Sequence, residues 1–463
     1  MLNIKQIIEA TKGKLINGNS DYIVKNYVLD SRNVTKGDLF IPIVGTKNNA
    51  HDYILSCVSN GICGYFIENS QKNKEEIIAN SININKDICI IEINNSETAL
   101  YQIGKYNRAI HLDIPIIAIT GSVGKTSTRE IISSILSKKY NVLTTYKNYN
   151  GYIGLSLMLL KLENQELAIL EHGIDRVGEM KELADASKPN IAVITMIGTA
   201  HIGIIGSKEK IFTEKLDICK YMNNKGTLIL NGDDEYLNGY SNENINIKKY
   251  NIKDASNIKI NEYKTEFKTK IYNDQYDVIL NEIGEHNIYN VLASIKVAEL
   301  YNVKIKDIID GIEEYKNLSS RFQRILLTNN IEIIDDTYNA SIDSMKSGIN
   351  SISLIKAKRK VVVLGDMFEL GEYSDELHLE VGKLFKGTNI DILLTLGEKS
   401  KIISNEARKY ISSINEFEKR EELIKVLCNT IQEGDLIYFK AANGMKFNDI
   451  IKEVEQYFQN KEI

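Results

Sequence analysis

An α/β protein of three domains is predicted: a small α/β unit at residues 1–95, a central parallel-sheet domain at 96–318, and a doubly wound (Rossmann-like) parallel sheet at 319–463. Three observations predict it. Short apolar runs alternate with amphipathic helical runs through the second and third segments, the pattern of parallel sheets covered on both faces. A glycine loop joins one such strand to its helix within residues 116–136. The alternation breaks at Leu318-Ser319-Ser320-Arg321 and then restarts.

The glycine loop is the most informative stretch. Ile116 to Ile119 reads as a buried strand, and Ile131, Ile132, Ile135 and Leu136 share one helical face. Between them lies Thr120-Gly121-Ser122-Val123-Gly124-Lys125-Thr126-Ser127. Glycines let backbone N–H groups close on an anion, and the helix N-terminus adds partial positive charge. Lys125 would neutralise β/γ-phosphate charge and the Thr126 hydroxyl would ligate Mg²⁺. The usual longer loop places Gly where this chain has Ile119, so this is the shorter T-G-x-x-G-K-[ST] form. A P-loop ATPase domain is the expectation.

Composition narrows the classes. With 463 residues, 43% hydrophobic and 26% charged, the chain suits a globular enzyme. A net charge of −5 gives no basic footprint for nucleic acid. No apolar run approaches the roughly 18 residues of a membrane span, and the N-terminus reads as an amphipathic helix, not a signal peptide. The five cysteines lack metal-ligand spacing and read as reduced cytosolic thiols. A cytoplasmic location follows as the expectation.

In the first segment, Tyr27–Leu29 is strand-like and is followed by Asp30-Ser31-Arg32. After Gly37–Ile43, Gly45–Asp52 reads as a turn, Tyr53–Ser59 as a helix and Ile88–Ile93 as a second, closing strand. An Arg after a strand suits a sugar-phosphate, although from the residues alone an exposed Arg paired with its neighbouring Asp is the preferred reading. Ser96–Asp113 is a linker helix. Strands follow at Ile116–Ile119, Asn141–Thr144, Leu167–Leu170, Ile191–Thr195 and Thr227–Leu230. Ligands bind such sheets at the C-terminal strand ends. Glu171 sits at one such end and can hold Mg²⁺. His201 follows the Ile191 strand, and Lys215 lies on the next helix. A satisfied polar His and a solvated Lys compete with a functional role for these two. Residues 245–283 read as a β-rich appendage. Asn287 and Asn290 then share one face near a helix start, where they could read a base edge or cap a loop. In the third segment the strands Ile331–Ile334, Val361–Leu364, Ile392–Leu396 and Leu436–Phe439 precede a helix at about 448–458.

Taken together, these motifs resemble the Mur ligases across all three domains. The stretch from Asp30 to Ile54 resembles the nucleotide-sugar domain, and TGSVGKTS the short phosphate loop. Asn148 and Asn150 with Gly154 resemble an N-x-N-N-x-x-G stretch. LEHGIDRVGEM, ITMIGTAHI and TEKLDI carry the family Glu171, His201 and Lys215. GEHNIYNVLAS, IDDTYNASIDSM and VVVLGDMFELGEYSDELH point to the branch that adds D-alanyl-D-alanine to a UDP-N-acetylmuramoyl-tripeptide. The resemblance implies ATP and Mg²⁺ as cofactors, an acyl-phosphate route, those two small-molecule substrates and a monomer. It implies catalytic roles for Lys125, Glu171, His201, Lys215 and Arg321. One Mg²⁺ would be held by Thr126 and Glu171, and a second by His201 and a carbamylated Lys215. Asn287, Asn290, Arg321 and Asp336 would contact ATP. Ser31, Arg32, His51, Asn148, Asn150, Tyr338 and Asn339 would contact substrate. The chain departs from the family pattern at Gly151, at Ser156 and at Ala441-Ala442-Asn443, where Gly-Ser-Arg is usual. That last departure keeps open a ligase with another amino substrate, such as a single amino acid or folate glutamates, and a non-catalytic nucleotide-binding module.

Overall fold

The computed structural model describes residues 1–222 and 226–459. Four sheets follow one another along the chain. The first has five strands, ordered Lys14–Asn17, Cys89–Ile93, Gly64–Glu68, Leu39–Phe40, Tyr27–Val28, with only the Lys14 strand antiparallel. The Gly64–Glu68 strand and the Lys74–Ile84 helix were not among the predicted elements. The strand is buried on both faces, so it shows no alternation to find.

The second sheet has six strands, all paired in parallel. Its order is Asn246–Tyr250, Thr227–Asn231, Ile191–Ile194, Ile116–Thr120, Leu167–Glu171, Val142–Thr144. The five predicted strands are present. The reading of 245–283 as an appendage needs correction, because Asn246–Tyr250 extends this sheet in parallel beside Thr227–Asn231. The remainder, Ala255–Ile260, Thr265–Ile271 and Asp274–Leu280, is a separate three-stranded antiparallel sheet. Phe267, Ile271, Val278 and Leu280 bury its inner face in the core of the Lys125–Leu136 and His286–Leu300 helices.

The fourth sheet is doubly wound, in the order Gln323–Leu326, Glu332–Asp335, Asp435–Lys440, Arg359–Gly365, Ile392–Leu396, Ser413–Phe417. It is parallel except for the Gln323 edge strand. The two edge strands escaped the sequence reading because one is short and polar-rich and the other largely exposed. The α/β class and parallel sheets stand as predicted. Among the described residues no helix is long and apolar enough to cross a membrane.

The sheets are not loosely strung. The Ser96–Ile110 helix, expected as a linker, sends Ala99, Leu100 and Ile103 into the first core together with Leu157 and Leu160 of the second segment. Its C-terminal turn carries Arg108, fully buried, whose Nε donates to the Ser187 carbonyl at 2.7 Å. Nη1 donates to the His111 and Ile114 carbonyls at 2.6 and 2.7 Å. Burial lowers the guanidinium pKa to about 10. At the other seam, one apolar core runs from Ala192, Ile202 and Ile205 into Met367 and Leu370, so the central and C-terminal sheets share buried surface.

Arg108→Met should therefore take a donor from the carbonyls of Ser187, Ile114, His111 and Lys188 while nearly conserving volume. A loss of roughly 3 kcal/mol or more is expected from unpaired buried acceptors. Chemical denaturation checks it, and a change within about 0.5 kcal/mol, as for an ordinary surface substitution, would contradict it.

Candidate active site

The phosphate loop lies at the C-terminal end of the Ile116 strand, at the centre of its sheet. Gly124 stands at φ +87, where a Cβ would press to 2.8 Å from Asn290 Oδ1, so only glycine closes the loop here. Lys125 is the first residue of the helix and its Nζ curls back to the Gly121 carbonyl at 2.8 Å. The Thr126 hydroxyl donates to Glu171 Oε2 at 2.9 Å. Glu171 ends the neighbouring strand and is buried. Asn150 Nδ2 donates to its other oxygen at 2.9 Å, and the Thr145 hydroxyl accepts from its backbone N–H at 2.8 Å. Arg129, one turn along the helix from Lys125, donates to Glu171 Oε2 at 3.2 Å. Sequence reasoning missed Arg129, because a lone Arg on an amphipathic helix looks like a solvated charge.

The C-terminal sheet supplies the opposite wall. Arg321 Nη2 donates to Thr126 Oγ1 at 2.8 Å, and its guanidinium lies 3.9 Å over the Tyr338 ring. Asp336 leaves the Glu332 strand and pairs with buried Lys440 at 2.6 Å. Tyr438 donates to the same carboxylate oxygen at 2.8 Å. The cleft between the two walls has a volume of about 380 Å³ and takes in Ser122 to Ser127, Asn148, Asn150, Glu171, His201, Asn287, Asn290, Arg321, Asp336, Tyr338 and Asn339. That volume lies within the usual range of small-ligand sites. Residues the sequence reading did not nominate, including His286, Asn317, Phe322 and Glu369, also face it. Their signal exists only once the two sheets are brought together.

Asn287 and Asn290 are buried and hydrogen-bonded to each other at 3.2 Å, and Asn290 Oδ1 accepts from Thr128 at 3.2 Å. They brace the loop and also line the cavity. Thr120, directly before the loop, is buried with its hydroxyl on the His172 carbonyl at 2.8 Å, so it anchors the loop from below.

Lys215 lies behind the cavity wall, buried on the Lys208–Leu216 helix. Its neighbour Glu214 fixes the helix by accepting from Gly178 N at 2.9 Å and Met180 N at 3.0 Å. Burial, and secondly the nearby Lys125, push the Lys215 amine well below its usual pKa, against the opposing pull of Glu214. Lys125 is itself lowered by burial, with Glu171 opposing and Arg321 adding to the shift. His201 is lowered by burial, opposed by Glu369 and reinforced by Lys125 and Lys215. Lys125, Arg321, the Lys215 amine and a histidine thus share one field, which favours an anionic occupant.

Three nominated residues lie away from this cavity. Arg32 projects into solvent and pairs with Asp30 at 2.6 Å, and Ser31 opens the same short helical turn. His51 is buried, with Nδ1 2.8 Å from Asn49 Oδ1 and Nε2 accepting from Glu68 N at 3.3 Å. Both ring nitrogens are occupied in holding a loop to a strand, so His51 serves the fold of the first sheet and has no atom left for a ligand. A polar groove lined by Glu97, Thr98, Tyr152, Arg176 and Glu179 adjoins the main cavity and shares Asn148, Asn150 and Asp175 with it.

The departure at Ala441-Ala442-Asn443 is compensated locally. Asn443 Nδ2 donates to the Tyr338 carbonyl at 3.0 Å, and Ala442 N to the Asp366 carbonyl at 3.0 Å. The loop that carries Tyr338 and Asn339 is therefore tied down without a guanidinium.

A parallel sheet with a short phosphate loop, joined across a cavity to a doubly wound sheet that supplies an Arg, defines an ATP-dependent ligase. The Mur ligase middle domain matches residues 119–298, and the Mur ligase glutamate ligase domain matches residues 320–443. The chain belongs to the Mur ligase family. It is 31% identical to the UDP-N-acetylmuramoyl-tripeptide–D-alanyl-D-alanine ligase of Bacillus subtilis, over 97% of this chain and 98% of that one. The ligase of the same name from Escherichia coli is 26% identical over 98% of each. A crystal structure of MurF from Acinetobacter baumannii superposes with a TM-score of 0.86 at 26% identity, covering 98% of both chains. MurF from Thermotoga maritima, solved with ADP, shares the fold at a TM-score of 0.80 and 24% identity, over 96% of this chain and 100% of that one.

Lys125→Ala should lower ATP-dependent turnover about 100-fold, the loss of roughly 3 kcal/mol typical of one preorganised charge at a transition state. The melting temperature should hold, since Nζ contacts only loop carbonyls. Turnover within twofold of the parent would contradict the assignment.

Proposed function

We propose that this chain is the ATP-dependent amide ligase that adds D-alanyl-D-alanine to UDP-N-acetylmuramoyl-tripeptide in peptidoglycan precursor synthesis, acting in the cytoplasm as a monomer. The observation that carries the reading is the meeting of Lys125, Thr126 and Glu171 from one sheet with Arg321 from the other in one cavity. Residues 1–95 would hold the UDP-sugar, 96–318 the ATP, and 319–463 would close over both.

Two anions, the tripeptide carboxylate and the ATP γ-phosphate, must approach each other. Lys125 and Arg321 offset that repulsion and hold the triphosphate in line. A carboxylate oxygen attacks the γ-phosphorus, the bond to the β-bridging oxygen breaks, and ADP leaves with an acyl phosphate formed. The dipeptide amine then attacks the acyl carbon, loses a proton, and inorganic phosphate departs. The Thr126 hydroxyl and Glu171 carboxylate, 2.9 Å apart beside the loop, are hard oxygen donors suited to Mg²⁺. When bound there, Mg²⁺ supplies charge neutralisation to the phosphates. Asn150 and Arg129 hold Glu171 in place for it. Asp336 is the candidate ribose acceptor, with Lys440 and Tyr438 fixing its orientation.

Lys215 fits the carbamate role on its own observations. It is buried, and among the described residues no carboxylate forms an ion pair with it. Its lowered pKa favours the neutral amine. A neutral amine adds to CO₂, forming the N–C bond and releasing one proton, and the product is an anionic oxygen donor. With His201 it would hold a second Mg²⁺.

Phosphate release tests the reading. It should require ATP, the UDP-tripeptide and D-alanyl-D-alanine together. Release supported equally by single amino acids would contradict it. Lys215→Ala should be nearly inactive and partly restored by added formate or acetate, whereas Lys215→Arg should not be restored. Full activity of Lys215→Ala in bicarbonate-free buffer would remove the carbamate from the account.

A further inference from the structure

His201 and Glu369 face each other across the seam between the central and C-terminal sheets. Both hold left-handed backbones, at φ +63 and +61, although neither is glycine. Such conformations persist where the surroundings over-determine them. Here the surroundings are a tight backbone contact. Gly203 N donates to the Glu369 carbonyl at 2.9 Å, and the Tyr373 hydroxyl donates to the Gly206 carbonyl at 2.9 Å. A Cβ on Gly203 would collide with the backbone N of Gly371. The loop carrying Glu369 is thereby fastened to the short helix that His201 begins.

This docking brings Glu369 Oε2 to 2.6 Å from His201 Nδ1, while the next carboxylate, Asp175, is 3.9 Å away. Nδ1 is otherwise a buried nitrogen without an aligned hydrogen-bond partner. Glu369 is half exposed, so a small side-chain rotation aligns its oxygen with the ring. A histidine that ligates a metal through one nitrogen commonly donates its other N–H to a carboxylate, which fixes the tautomer and the ring plane.

We infer that Glu369 is a positioning residue supplied by the C-terminal domain, which orients His201 for a divalent cation only when that domain is docked on the central one. The inference rests on the reading of His201 and Lys215 as holders of a second cation, and adds that the site is split between two domains. Cation binding there and domain docking are then linked: each favours the other by the same factor.

Mn²⁺ serves as the probe, titrated into the full chain with a non-hydrolysable ATP analogue and bicarbonate, and followed by electron paramagnetic resonance. The parent should show two classes of bound Mn²⁺. Glu369→Ala should weaken one class about tenfold or more, in line with the loss of an outer carboxylate partner, and leave the other unchanged. Glu369→Gln, which keeps an acceptor for Nδ1–H, should retain most of the affinity. Gly203→Ala keeps every donor but opposes docking, and should reproduce the Glu369→Ala loss. Two classes unchanged in Glu369→Ala, equal weakening by Gln and Ala, or normal binding in Gly203→Ala would each overturn the inference while leaving the second-cation reading intact. A single class in the parent would overturn both. Phosphate release by the parent reads the ligase assignment separately.

Discussion

Arg321 is the junction on which the cavity depends. It begins the C-terminal domain, yet its guanidinium reaches Thr126 on the phosphate loop at 2.8 Å and stacks on Tyr338 at 3.9 Å. The stacking fixes the plane of the fork, so its donors are aimed at the loop before any anion arrives. Remove the docking of the two sheets and neither wall is a site. The phosphate loop alone is an open anion cradle, and the Asp336–Asn339 segment alone is a strand end. Chemistry that must join three substrates is served by this division, since each can enter before the walls meet.

Charge governs the remainder. Lys125 adds to the lowering of Lys215, Arg321 adds to the lowering of Lys125, and His201 feels both lysines. Such crowding of cations is unfavourable in the empty site and favourable once phosphates or a carbamate enter. The protein holds the strained arrangement with neutral and backbone partners: Glu214 on helix N–H groups, Asn287 on Asn290, Lys125 on loop carbonyls. Carboxylates meet buried cations at the edges of the site: Glu171 and Glu130 on Arg129, and Asp336 on Lys440.

Much of this was legible in the sequence, for identifiable reasons. Strands buried on both faces between helices gave the two large sheets, and the strand–glycine–Lys-Thr–helix order gave the loop. Local motifs sufficed to nominate Lys125, Thr126, Glu171 and Arg321, which the fold brings to one cavity. His51 was misread because a family motif contained it, whereas its ring nitrogens are consumed by Asn49 and Glu68. Arg129 and Glu369 were missed because their meaning comes from partners 42 and 168 positions away in the chain, Glu171 and His201. Asn246–Tyr250 was misplaced because polar–apolar alternation suits a parallel edge strand as well as an antiparallel appendage.

Just before the C-terminal domain the Asn317 backbone N–H donates to the Glu282 carboxylate at 3.1 Å, and docking of that domain assembles the site. Small-angle X-ray scattering measures this most directly. Addition of a non-hydrolysable ATP analogue and UDP-tripeptide should shrink the radius of gyration to the value calculated from this docked structure, from a larger value without ligands. A radius of gyration that does not change on adding both ligands would contradict assembly by closure.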